Sequence, residues 1–370
     1  MTTTANLRST VAGAVAAGLL VAVAGGAAAN KVEREERKTV TVSDQTRIVV
    51  KNARGKTAVV GSSEARAITI VARKIVRERD AARAERMLDE LRFEVLERDG
   101  EIVVETHGDD VSENRRLWAL IGRGEVAVID YTIEVPRSFS ADVQASGGRI
   151  RVTGLAGAAR ATATSGDIVL LDIGGDALAE VTSGSIEVRG VRGDLKARAT
   201  SGETVVERVE GDLVAEATSG DVVASRVGGN AFVRLVSGDL VLDGCLGDVT
   251  LRTSSGDASI QDAGGGVSAQ SSSGDLEVDI VPVGEKDFRL STSSGDVAVV
   301  YPAREDCGFR LEVRTSSGNI QGDMAIRLDK ITRRELRGIV GSGSAHIVIE
   351  TASGDVTIVE KKKGKEQGKD

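Results

Sequence analysis

The chain has 370 residues, a net charge of −8, 2% aromatic residues, two histidines and two cysteines. Its 48 basic and 56 acidic residues are interspersed, with no basic stretch interleaved with aromatics, which argues against a nucleic-acid partner. So few aromatic side chains also argue against a stacking platform for sugars or bases, and the histidines, His107 and His346, lie far apart with no nucleophile motif beside either.

Residues 1–30 read as a secretory signal peptide. Arg8 precedes an apolar run from Val11 to Ala24, and Ala27, Ala28 and Ala29 supply small residues for cleavage. The run is short and rich in alanine and glycine, so no stable membrane span is expected after cleavage. The expected location is outside the cytoplasm: periplasmic, cell-surface or secreted.

Residues 31–135 read as a small α+β N-terminal cap. Strands are expected at Lys38–Val42, Arg47–Val50, Ala67–Lys74, Phe93–Glu97, Glu101–Glu105 and Val126–Val135, with Asp99-Gly100 as a turn. Between Arg79 and Leu91 the spacing of Ala81, Ala84, Met87, Leu88 and Leu91 is helical, with Asp80 as N-cap. The loop His107–Gly124 carries Leu117-Trp118-Ala119-Leu120-Ile121, which either packs on the cap or forms an exposed hook.

Residues 136–360 are repetitive. Fifteen glycines stand nine residues apart from Gly148 to Gly274, and every second one lies in a Ser-Gly-x triplet, so the full repeat is 18 residues. In SGDIVLLDI (165–173) or SGDLVLDGC (237–245) the fourth and sixth positions are apolar and the fifth and seventh mixed or polar. That alternation, bounded by turn residues, marks short half-buried strands, whereas a helix needs period 3.6. The expected fold is mainly β: a single-chain parallel β-solenoid of 18-residue coils, two strands per coil. Its interior sets large residues (Ile168, Leu170, Val222, Leu240, Leu242) against alanines (Ala161, Ala179, Ala197, Ala215). After Gly274 the corner glycines are expected at Gly295, Gly318 and Gly343, with longer loops. The tail 361–370 is charged and expected to be disordered.

The export signal, the strand pair RIVVKNARGKTAVVG, the helix-containing insert, YTIEVPRSFSADVQASGGRIRV and the TSGDI/TSGDV run together resemble a bacterial exported β-strand-repeat family of unknown function. That family is often labelled adhesin and sometimes called toastrack-like. The resemblance covers roughly residues 35–360. It implies a repeat architecture and, through relatives attached to envelope-stress regulators, a sensory or regulatory role; it implies no catalytic chemistry.

The candidate sites are few. One corner column stacks Asp167, Asp221, Asp239, Asp257, Asp275 and Asp296, and the opposite one Asp176, Asp194, Asp212 and Asp248. Calcium is one reading. The β-roll pattern Gly-Gly-x-Gly-x-Asp is absent, and turn-capping by each carboxylate within its own corner is the expectation, with no metal and no cofactor. Glu180, Arg198, Glu216, Arg234 and Arg252 share the outward seventh position, where a polysaccharide-active site or simple cross-strand ion pairing could lie. Cys245 falls in the inward column of Ile173, Val191, Val209 and Val227, which favours packing over a disulfide with Cys307. The outward fifth position holds Val169, Val205, Val223 and Val241, with Leu171 beside it, and is the candidate binding face. The functional expectation is a non-catalytic binding or scaffold protein of the cell envelope, with an envelope polymer or a protein as partner. The alternatives are an accessory sensor in envelope stress and, further off, an enzyme acting on polysaccharide.

Overall fold

A computed structural model describes residues 15–16, 20–22, 30–107 and 126–361. The expected signal peptide lies almost wholly outside the described residues, as do the Trp118 loop and the tail beyond Lys361. The chain divides into two compact units, Met1–Arg192 and Gly193–Asp370, each built mainly from parallel strands stacked in coils. No helix among the described residues is long and apolar enough to cross a membrane.

In the first unit, strands Asn30–Thr41, Ala67–Glu78 and Val126–Pro136 form an antiparallel layer with Ala67–Glu78 at its centre. Helix Ala81–Glu90 follows the central strand. Asp80 caps it by accepting from the Ala82 and Arg83 amides, and Ala84, Met87 and Leu88 form its buried face. The helix is held to the first strand by Arg34, whose guanidinium reaches Asp89 (2.6 Å) and Glu85 (3.0 Å).

Coil stacking begins inside the segment expected to be a cap. Arg47–Arg54 and Thr57–Ser62, joined by the Gly55-Lys56 corner, pair in parallel with Ser140–Gly147 and Ile150–Thr153. Those strands continue in parallel to Ala159–Ser165 and Ile168–Ile173, with Ala177–Ser183 next to the former and Ile186–Val191 next to the latter. The insert 67–136 therefore lies between two coils in sequence. Its strand Glu101–His107 flanks Arg47–Arg54 and is covered in turn by Arg92–Arg98.

In the second unit the register is regular at first. Leu195, Leu213, Ala231, Val249 and Val267 lie over one another on one face, and Thr204, Val222, Leu240, Ala258 and Leu276 on the other. Inward positions are sealed: Leu240, Leu242, Ala231 and Val233 are at most 1% exposed. Each large aliphatic side chain so buried contributes about 1.5–3 kcal/mol.

The stacking order then departs from the sequence order. The coil Asp287–Pro302 is followed in space by Ala345–Lys361, and only then by Phe309–Asp323. The last segment of the chain thus inserts between two coils that precede it. The exposed flank of Phe309–Ser317 is closed by a hairpin, Arg327–Ile331 with Glu335–Val340, running antiparallel to it. Its outer strand is wholly exposed and carries Arg327, Asp329 and Lys330, charges that discourage edge-to-edge pairing. This order corrects the expectation of a simple sequential stack with a corner at Gly343. The glycine column instead runs Gly274, Gly295, Gly354, Gly318.

Candidate contact surfaces

The two corner columns are built differently. At the Ser-Gly-Asp corners glycine adopts positive φ, +131° at Gly238. A Cβ there would also stand 2.2 Å from the Gly220 carbonyl oxygen of the neighbouring coil. At the opposite corners φ is not positive, and the need for glycine comes from crowding alone. A Cβ on Gly229 would lie 2.3 Å from Asp212 Oδ1.

That oxygen belongs to a ladder. Each corner aspartate accepts the backbone N–H of its counterpart one coil on: Asp239 donates to Asp221 (2.9 Å), Asp257 to Asp239 (2.9 Å) and Asp275 to Asp257 (2.8 Å). The opposite column repeats the arrangement through Asp212 to Asp194 (2.9 Å), Asn230 to Asp212 (2.7 Å) and Asp248 to Asn230 (2.9 Å). Turn-capping was the expectation, but the carboxylates cap the next coil rather than their own. Asn230 serves as well as aspartate, so the ladder needs an acceptor oxygen rather than a charge. No group of three or more His, Cys, Asp or Glu side chains among the described residues is placed to hold a metal ion.

The outward row of charges is paired across coils where the signs alternate. Arg198 Nε lies 2.7 Å from Glu216, and Arg160 pairs with Glu180 at 4.0 Å. Arg234 and Arg252 stand side by side in register, both exposed. Among the long corners, an open groove of about 470 Å3 is lined by Asp248, Glu285, Lys286, Asp287 and Arg289. Its groups are already engaged: Asp248 accepts from the Gly266 amide at 2.8 Å, and Asp287 pairs with Arg289 at 3.2 Å. Both cysteines are free and buried, and burial pushes both thiols up.

The valine stripe is uneven. Val205, Val223 and Val241 lie over one another on successive coils. The first two are half-buried and Val241 is 42% exposed. Val169 does not match its expected exposure: it is 8% exposed, and Leu171 is intermediate. The difference lies in the neighbours. Val169 sits in register between Arg151 and Glu187, whose long stems can shield an apolar neighbour, whereas Val241 sits between Val223 and the short Ser259. The coil of Val241 is the most apolar outside: Val236, just before its Ser-Gly-Asp corner, is 45% exposed, and Leu246, at its far corner, 76%.

One surface has no counterpart in the linear sequence. In the first unit an open groove of about 550 Å3 is lined by Lys31, Arg54, Lys56, Arg73, Arg77 and Arg149, against one lining carboxylate, Asp130. Register brings the cations together: Lys31 opposes Arg77, and Arg73 opposes Asp130, across adjacent strands. The floor is apolar and backbone: Ile75, Val128, and the stacked Gly55 and Gly148 corners. Asp130 is spent locally, accepting the Lys56 amide (2.7 Å) and facing Arg73 (3.5 Å). Among the described residues no ion pair engages the side chains of Lys56 or Arg77.

Residues 193–359 match the family described as Toastrack DUF4097. No curated protein matches the chain in sequence. Among solved structures, the chain is similar to a protein provisionally named a cell adhesion protein from Clostridium sporogenes ATCC 15579, at 11% identity and a TM-score of 0.19, over 89% of this chain and 100% of that one. It is also similar to a provisionally named adhesin from Bacteroides fragilis NCTC 9343, at 11% identity and a TM-score of 0.26, over 88% of this chain and 96% of that one. A provisionally named lipid binding protein from Parabacteroides distasonis ATCC 8503 is similar at 11% identity and a TM-score of 0.25, over 88% and 96%.

Proposed function

We propose, from the match of residues 193–359 to the family described as Toastrack DUF4097, that the chain is a non-catalytic binding or scaffold protein of the cell envelope, exported by its N-terminal segment. In this reading the coils are a rigid support, and the outward face around Val205, Val223 and Val241 is the contact surface for an envelope polymer or protein. The observation that carries it is the concentration of exposed apolar side chains on one coil, Val236 at 45%, Val241 at 42% and Leu246 at 76%. Solvent-facing positions on a regular sheet do not need such side chains for folding, and exposed apolar side chains gathered on one coil favour a contact surface there. Val169 is no part of that surface.

The test is the triple variant Val205→Thr, Val223→Thr, Val241→Thr. Threonine keeps the β-branched shape and strand preference while removing apolar area. Retention on native envelope preparations should fall for the variant while its far-UV circular dichroism and melting stay within those of the parent. Undiminished retention by a folded variant removes the stripe from the contact surface.

A further inference from the structure

The groove on the first unit calls for a ligand of a different chemistry from one that an apolar stripe would take. Six cationic side chains line it against one lining carboxylate, in a protein whose net charge is −8; Lys31 also pairs with Glu33, Arg73 with Asp130 and Arg149 with Asp167 (2.9 Å), while no ion pair among the described residues engages the side chains of Lys56 or Arg77. Four of the six are arginines, whose planar fork binds phosphate oxygens through paired hydrogen bonds. The cations come from four segments: Lys31 from one strand, Arg73 and Arg77 from the next, Arg54 and Lys56 from one corner, and Arg149 from the corner stacked on it. A single small anion cannot engage such a spread at once.

We infer that this groove binds a linear polymer carrying successive phosphate groups. Two features favour a narrow chain over a flat anionic membrane. The site is concave, with Ile75 and Val128 in its floor between the charged rims. The same outer face of the layer also carries Glu33, Glu35 and Glu134, in register with Ile75, Arg73 and Thr69, and Glu33 pairs with Lys31. A plane of negative charge laid over that face would meet all three carboxylates at once, whereas a narrow chain can follow Arg54, Lys56, Arg77 and Arg149. The residues lining the groove include no aromatic ring on which a base could stack, so the recognition is of phosphate and not of nucleobase.

The test uses the full chain and soluble sodium polyphosphate of about fifteen units as probe, followed by calorimetry or fluorescence anisotropy at several salt concentrations. Binding should weaken steeply with salt, and the double variant Lys56→Ala, Arg77→Ala should bind about 10- to 30-fold more weakly, with a salt slope shallower by about 1–2. Both side chains are exposed, so circular dichroism and melting of the variant should match the parent. Inorganic phosphate should bind far more weakly than the polymer, and polyglutamate of matched charge should bind more weakly than polyphosphate. The valine-to-threonine triple variant should bind polyphosphate normally, which keeps this result separate from the fate of the contact face. The inference is overturned by absence of polyphosphate binding, by equal binding of the double variant, by polyglutamate binding as tightly, or by phosphatidylglycerol vesicles binding more tightly than the soluble polymer.

Discussion

The glycines at two neighbouring positions of one coil should respond very differently to the same small change. Gly244 has φ +79°, and a Cβ there would meet nothing nearer than the Arg226 backbone nitrogen at 3.8 Å. Its counterparts on other coils show that a side chain is tolerated: Asp172, Arg208, Arg226 and Asp262 hold φ between +52° and +61°. Gly244→Ala should therefore cost only the left-handed penalty, about 1–2 kcal/mol. Gly238 has φ +131°, a region open essentially to glycine alone, which costs a substituted residue about 1–3 kcal/mol. Its Cβ would also lie 2.2 Å from the Gly220 carbonyl oxygen. Relieving that overlap means lifting one coil off the next, against the amide bonds Gly220 to Ser237 (3.1 Å) and Asp239 to Asp221 (2.9 Å). Overpacking of this kind adds about 1–3 kcal/mol. Gly238→Ala should thus cost about 2–6 kcal/mol, well beyond Gly244→Ala. Urea unfolding followed by circular dichroism measures both; because stacked coils can unfold in parts, the comparison rests on midpoints at unchanged slope. Equal midpoints for the two variants would refute the claim that close stacking, and not backbone conformation alone, selects glycine at this corner.

Three further outcomes follow from the same geometry. Asp239→Asn should be nearly neutral, as Asn230 is in the opposite column, whereas Asp239→Ala leaves the Asp257 amide without its acceptor and should cost about 1–2 kcal/mol in a thermal melt; a chelator should leave the parent's melt unchanged, and a drop of several degrees would point to bound cations instead. Asp167 is held below the usual carboxylate range by hydrogen bonds from the Arg149 side chain and from the Ser185 hydroxyl and amide. Its folded state therefore holds its proton less tightly than the unfolded chain, so its stabilisation is present above pH about 4 and fades as pH falls through the lower folded value; the stability gap between the parent and Asp167→Asn should close in acid, and a gap constant across that range contradicts the assignment. Truncation before Ser344 removes the coil that separates Asp287–Pro302 from Phe309–Asp323, and trypsin should then cleave at Arg310 and Arg314; resistance equal to that of the full chain would contradict the inserted order.

Much of the local structure was legible from residues alone. Alternation at Ile168, Leu170, Leu240 and Leu242 identified strands and their buried side, because a strand's side chains alternate whatever it pairs with. Asp80 marked the helix start because the capping bond is local. The fixed 18-residue spacing implied parallel stacking, because identical units bury identical faces. The contact face was only partly legible: Val169 and Val241 occupy the same repeat position, but their exposure is set by Arg151 and Glu187 in one case and Ser259 in the other.

What the linear order could not express is pairing between distant segments. Residues 345–361 slip between coils that precede them because strand edges on both flanks offer the same amide spacing, and a compatible edge carries no record of sequence position. Lys31, Lys56, Arg77 and Arg149 are dispersed along the chain. They converge because antiparallel register and corner stacking place them on one rim, and charge density is a property of that surface. The repeat itself settled the strand, its inward side and its corners; the tertiary structure alone settled the order of the coils and the place where positive charge gathers.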